Sequence, residues 1–144
     1  MRRQPKTIVL DSWAIMSYLQ GEPSAEKVAD IIADAHEDNV PLLMSVVNAG
    51  EVWYILARRT SEAEADRSIR ELKQLGIKLV DADWDIAHDA GRFKAKHKMS
   101  FADCFAAALA KQKKALLLTG DPEFKQVEQE ITIEFLSQAQ SRGR

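Results

Sequence analysis

Five short apolar runs, separated by amphipathic stretches, constrain this chain more than any other feature. They fall at residues 7–10, 40–44, 77–80, 115–118 and 131–136. Each is too short for a helix, and with 7–10 apolar up to Asp11 the set reads as strands apolar on both faces. The segments between them carry helical spacing. Residues 13–19 form a short helix closed by Gly21 and Pro23, and Ser24 is placed to cap a second, with Val28, Ile31, Ile32 and Ala35 on one face. A third helix presents Ala49, Val52, Trp53 and Leu56. Ser61 and Glu64 make a capping box for a fourth, which stops at Gly76. Asp83 caps a fifth carrying Ile86, Ala90 and Phe93, and an Ala-rich sixth spans residues 100–113. A short helix follows Pro122, and the last residues are polar and expected to fray. Strands alternating with helices give a parallel sheet covered by helices, and in such sheets chemistry sits beyond the carboxyl ends of the strands.

The 144 residues are read as a single domain, 1–144, large enough for one core. A composition of 46% hydrophobic and 29% charged residues excludes a disordered chain. No run is long enough to span a membrane, and Asp11 interrupts the apolar start that a signal peptide needs, so a cytoplasmic protein is expected. Cys104 is the only cysteine, which excludes an internal disulfide and a Cys-rich zinc site. A net charge of −2 excludes nucleic-acid binding by bulk basicity and leaves only local basic patches for that task.

Four acids stand where strands end or helices begin. Asp11 and Asp121 each follow an apolar run, and Glu51 and Asp103 lie in the first turns of helices. Parallel strands bring all four positions to one sheet edge. Carboxylates held that close repel, and the usual remedies are a shared proton or a bound cation. Oxygen ligands without His or Cys suit Mg²⁺ or Mn²⁺ rather than zinc. Each acid also has a plainer use: Asp11 as a helix cap, Asp103 as the third residue of a capping box, Asp121-Pro122 as a turn, Glu51 as a solvated helix residue. Glu51 fits its plainer use least, being bracketed by Ala49, Gly50, Val52 and Trp53.

Four segments in order, Ile8-Val9-Leu10-Asp11-Ser12, Val47-Asn48-Ala49-Gly50-Glu51-Val52, Ser100-Phe101-Ala102-Asp103-Cys104-Phe105-Ala106-Ala107 and Leu118-Thr119-Gly120-Asp121, resemble the PIN-domain nucleases, particularly the small VapC-type toxins. The resemblance spans almost the whole chain. It implies a three-layer α/β/α sandwich, a Mg²⁺-dependent endoribonuclease (Mn²⁺ substituting), and a metal-activated water as nucleophile. By the same resemblance Asp11 and Asp103 are core metal ligands, Glu51 a ligand or water-mediated group, and Asp121 the most variable of the four. Ser12 and Thr119 match hydroxyl positions that orient the aspartates. A homodimer and a small antitoxin partner are implied as well.

An RNA substrate needs cations near the acids. Arg58 and Arg59 end the Glu51 helix, and Arg92, Lys94, Lys96 and Lys98 precede the Asp103 helix. Both groups also read as solvated helix ends favoured by the helix dipole. Trp13, Met16, Trp53, Tyr54 and Leu56 read as core, with a groove for a partner's amphipathic helix as the alternative. Two other functions remain in view: a PIN-like binding module without activity, and a receiver-type signalling domain. The receiver wants paired acids after the first strand, and Leu10 precedes a single Asp11. A dehalogenase-like phosphatase wants Asp-x-Asp there, which Asp11-Ser12-Trp13 is not.

Overall fold

A computed structural model describes residues 6–137. The basic Met1-Arg2-Arg3 and the polar residues after 137 lie outside that range. Its elements run β1 (Ile8–Leu10), α1 (Ser12–Leu19), α2 (Ala25–Glu37), β2 (Leu42–Ser45), α3 (Val46–Arg59), α4 (Glu62–Gln74), β3 (Ile77–Val80), α5 (Trp84–Lys96), α6 (Phe101–Lys113) and β4 (Leu116–Thr119), then a 3-10 helix (Pro122–Val127) and β5 (Thr132–Phe135). The five strands form one sheet in the order β3-β2-β1-β4-β5, with every pairing parallel.

Why β1, β2 and β4 are apolar on both faces is plain from what covers them, whereas the edge strands β3 and β5 carry the exposed Lys78 and Thr132. Ile8, Leu10, Leu42, Met44 and Leu118 pack into one core with α1, α2, α3 and α4. Val9, Leu43 and Leu117, on the opposite face, pack into a second core with α5, α6, Phe124 and Val127. The result is the expected α/β/α sandwich. α6 is the deepest helix: Cys104 through Ala110 are all buried, which only a helix of small and apolar residues permits.

Local signals hold at most boundaries. Asp83 accepts a hydrogen bond from Ile86 N (3.0 Å), Ser61 from Glu64 N (3.1 Å) and Ser100 from Asp103 N (3.1 Å), each the cap read from sequence. Ser24 is the exception. Its backbone is already helical (φ −85°, ψ 0°), so its hydroxyl cannot cap α2 and donates instead to Ser137 O (3.0 Å). β2 begins two residues later than expected, because Pro41 has no N–H to give the ladder and offers only its carbonyl, which accepts from Ile8 N (3.0 Å). The helix after Pro122 is a 3-10 helix.

Gly76 ends α4 with a left-handed φ of +85°, and a Cβ there would meet the His36 ring at 2.6 Å. The same ring hydrogen-bonds Leu75 O through Nε2 (2.7 Å), so α2 is pinned over the turn into β3. Gly21 has a comparable φ of +62° but open space around it. Gly21→Ala is therefore expected to cost about 1 kcal/mol, and Gly76→Ala clearly more, in urea unfolding. Equal losses at the two positions would show that His36 contributes no steric barrier.

Candidate active site

The β1–β4 pairing builds the centre of the site. Leu10 lies opposite Leu118, so the next residues out, Asp11 and Thr119, meet side by side just past the β1–β4 pairing. Asp11 N donates to Leu118 O (3.5 Å) and the carboxylate is wholly buried. One of its oxygens accepts from Ala14 N (2.9 Å), capping α1, and the other from the Thr119 hydroxyl (2.5 Å). Thr119 Oγ1 in turn accepts from Asp121 N (3.0 Å). Asp121 then caps the 3-10 helix by accepting from Glu123 N (2.9 Å). A single hydroxyl thus ties two of the acids together.

Asp103, near the start of α6, completes the group from the other side. Carboxylate oxygens of Asp103, Asp121 and Glu123 lie within 4.8 Å of one another. Glu51, on α3, joins them in lining a cleft of about 570 Å³. The sequence reading missed Glu123, although its place two residues after Asp121 in a helix-starting Asp-Pro-Glu was a usable signal. It also missed Asn48. This buried amide donates to Ser12 Oγ (3.2 Å) and Ala102 O (3.1 Å), bracing α1 and α3 against the start of α6. Of the two hydroxyl positions, Thr119 meets the Asp11 carboxylate and Ser12 does not. Being the first residue of α1 and turned toward α3, Ser12 donates to Asn48 O (3.3 Å).

The electrostatics follow from burial and crowding. Burial, more than any other cause, raises the Asp11 pKa to about 7, with Asp103 and Asp121 adding to it; the Thr119 and Ala14 hydrogen bonds oppose it. Asp103 is also raised to about 7, first by burial, then by Asp121 and Glu51, against the Ser100 hydrogen bond. The oxygen-only donor set of Asp103, Asp121 and Glu123 fits a hard divalent cation, which would relieve this crowding.

The cations divide. Arg59 lines the cleft and hydrogen-bonds Gln20 Oε1 across it (2.9 Å). Arg58 lies over the Tyr54 ring, 5.0 Å from its centroid. Arg92, Lys94, Lys96 and Lys98 do not line the cleft. They occupy the exposed end of α5 and its loop, where Lys94 satisfies Met99 O (2.7 Å). Nearness in sequence to Asp103 does not carry them round to the α1–α3 side of α6. The aromatic set also divides: Leu56 is core, Tyr54 is 44% exposed, and Trp13 and Met16 line the cleft.

The PIN domain family model matches residues 8–130, and the chain belongs to that family. A comparison with curated proteins returns no match. Among solved structures, VapBC2 of Rickettsia felis bound to a promoter DNA fragment superposes with a TM-score of 0.71 at 13% identity, covering 91% of this chain and 99% of that one. The sarcin-ricin loop cleaving toxin VapC20 of Mycobacterium tuberculosis gives 0.68 at 17% identity, covering 83% and 94%. FitAcB of Neisseria gonorrhoeae gives 0.61 at 20% identity, covering 88% and 95%. No helix among the described residues is long and apolar enough to cross a membrane.

A pH dependence follows from the two raised carboxyl groups. Their usual pKa is 3.8, so between about pH 4 and 7 the folded chain keeps protons that the unfolded chain has released. Stability without metal is therefore expected to fall as pH rises through 7. A divalent cation favours the charged form, so its stabilising effect should grow over the same range. Thermal melts in EDTA and in Mg²⁺ from pH 5 to 8 test both slopes. Asp103→Asn should flatten them, and a metal-free melting temperature that climbs toward pH 8 would contradict the assignment.

Proposed function

We propose that this chain is a metal-dependent endoribonuclease and the toxin of a toxin–antitoxin pair. The observation that carries this reading is the convergence of Asp103, Asp121 and Glu123 at the strand ends of a PIN domain, with Asp11 and Glu51 beside them. The toxins among its structural neighbours support it, one of them described as cleaving the sarcin-ricin loop. A small antitoxin partner, a homodimer and a cytoplasmic setting belong to the same reading.

Asp103, Asp121 and Glu123 would hold the ion, Mg²⁺ or Mn²⁺, with Glu51 at the side and Asp11 behind, its oxygens retaining lone pairs beyond those used by Ala14 and Thr119. A bound divalent ion supplies two things here: a water of lowered pKa and charge neutralisation at phosphate oxygens. The protein's own part is preorganisation. Thr119 fixes Asp11 and the backbone of Asp121, while Ser100 and Asn48 fix the start of α6, so the carboxylates hold their positions without substrate. The N-termini of α1 and α6 lend partial positive charge to an otherwise anionic pocket. Arg59 offers a phosphate contact farther along the cleft.

RNA cleavage with Mg²⁺ or Mn²⁺, against EDTA and against Asp103→Asn, tests the proposal. The expected products carry 5′-phosphate and 3′-hydroxyl ends, and the variant should lose activity by on the order of 100-fold while keeping its fold. Metal-independent cutting, or 2′,3′-cyclic phosphate ends, would refute the mechanism.

A further inference from the structure

The cleft is not uniformly acidic. Its α1 wall is a stripe, Trp13, Met16, Ser17 and Gln20, at the i, i+3, i+4, i+7 spacing of one helix face. Facing it on α3 are Glu51, Ile55 and Arg59, again a single face. From the carboxylates of Glu51, Asp103, Asp121 and Glu123 the lining passes through Trp13, Met16 and Ile55 to Arg59, with Glu22 a further acid on the wall. Glu51 and Arg59 are separated by about 12 Å along the helix. Acid, apolar wall and cation in that order match a metal-bridged phosphate, a base, and a phosphate farther along one strand.

Trp13 is held for such a task. Its six-membered ring lies flat on Gly120, the residue between Thr119 and Asp121, and a Cβ at Gly120 would fall inside the indole contact. Only glycine lets the ring approach there. One face is thus fixed by backbone next to a carboxylate of the site, and the half-buried indole still lines the open cleft. Part of the indole packs against the α1–α4 core, and the rest borders the cleft.

We propose that Trp13 is the stacking platform for a nucleobase beside the scissile phosphate, with Arg59 contacting a phosphate beyond it. This rests on the nuclease reading above. Base–aromatic stacking is tolerant of sequence and strong enough to position a single strand.

The test uses fluorescein-labelled RNA octamers, of mixed sequence and of abasic ribose-phosphate, binding in Ca²⁺ followed by anisotropy. The readout is the affinity ratio between base-bearing and abasic strands within each variant. Any disturbance of Asp121 by the substitution then cancels. The wild-type protein and Trp13→Phe should prefer base-bearing octamers by about tenfold. Trp13→Ala should lose that preference while melting within a few degrees of wild type, and Arg59→Ala should weaken both strands equally. An unchanged ratio in Trp13→Ala, or no base preference in the wild type, overturns the platform. That result is also the one expected if the groove serves a protein partner instead. Cleavage by the wild type is scored separately in Mg²⁺. Cleavage without base preference defeats the platform alone, and base preference without cleavage defeats the nuclease reading alone.

Discussion

Side-by-side pairing of β1 and β4, Ile8 with Leu116 through Leu10 with Leu118, fixes what lies beyond it. One residue farther, the two strands deliver Asp11 and Thr119 to the same point, where the hydroxyl meets the carboxylate. Shifting the register by one would turn Leu117 and Leu118 to the wrong cores and leave Asp11 buried without this partner. Two hydrophobic cores therefore enforce the alignment of a polar pair that could not enforce it alone. β1 and β4 are also where the sheet order reverses, β2 and β3 lying to one side and β5 to the other. The cleft opens at that switch point, as it does in other open parallel sheets.

Charge crowding is the price of this arrangement, and the structure distributes it. Asp11 and Asp121 cap helices, and the N–H of Asp103 is itself capped by Ser100. The acids meet the positive ends of helices and backbone donors before they meet each other. Asp11 and Asp103 nevertheless keep raised pKa values, first from burial and then from the neighbouring acids. The remaining imbalance is what a divalent cation would neutralise.

The architecture was legible because strands buried on both faces leave apolar runs, and helices leave caps at the right spacing. Asp11 and Asp121 stand out because each follows an apolar run, and Glu51 and Asp103 because each lies early in a helix, Glu51 among apolar neighbours. Capping a helix and standing among the crowded acids are not alternatives for Asp11 and Asp121, since both capping bonds are present there. Glu123 has only the Asp-Pro-Glu helix start as a local trace, and its nearness to Asp103 depends on α6 and the 3-10 helix meeting. Asn48 was not legible, because its use depends on α1, α3 and α6 meeting at one place, which no local pattern records. The Arg92–Lys98 run, close to Asp103 in sequence, does not line the cleft and occupies the exposed end of α5 and its loop.

The doubled use of Asp11 and Asp121 bears on how such a chain could drift. Asparagine caps a helix about as well as aspartate, whereas alanine does not. A lineage released from the need for chemistry could exchange Asp121 for asparagine at little cost to folding, whereas at Asp11 the amide nitrogen would face the Thr119 hydroxyl that the carboxylate now accepts. Silent descendants of this protein would then keep their shape and carry an amide where the Asp121 carboxylate stood.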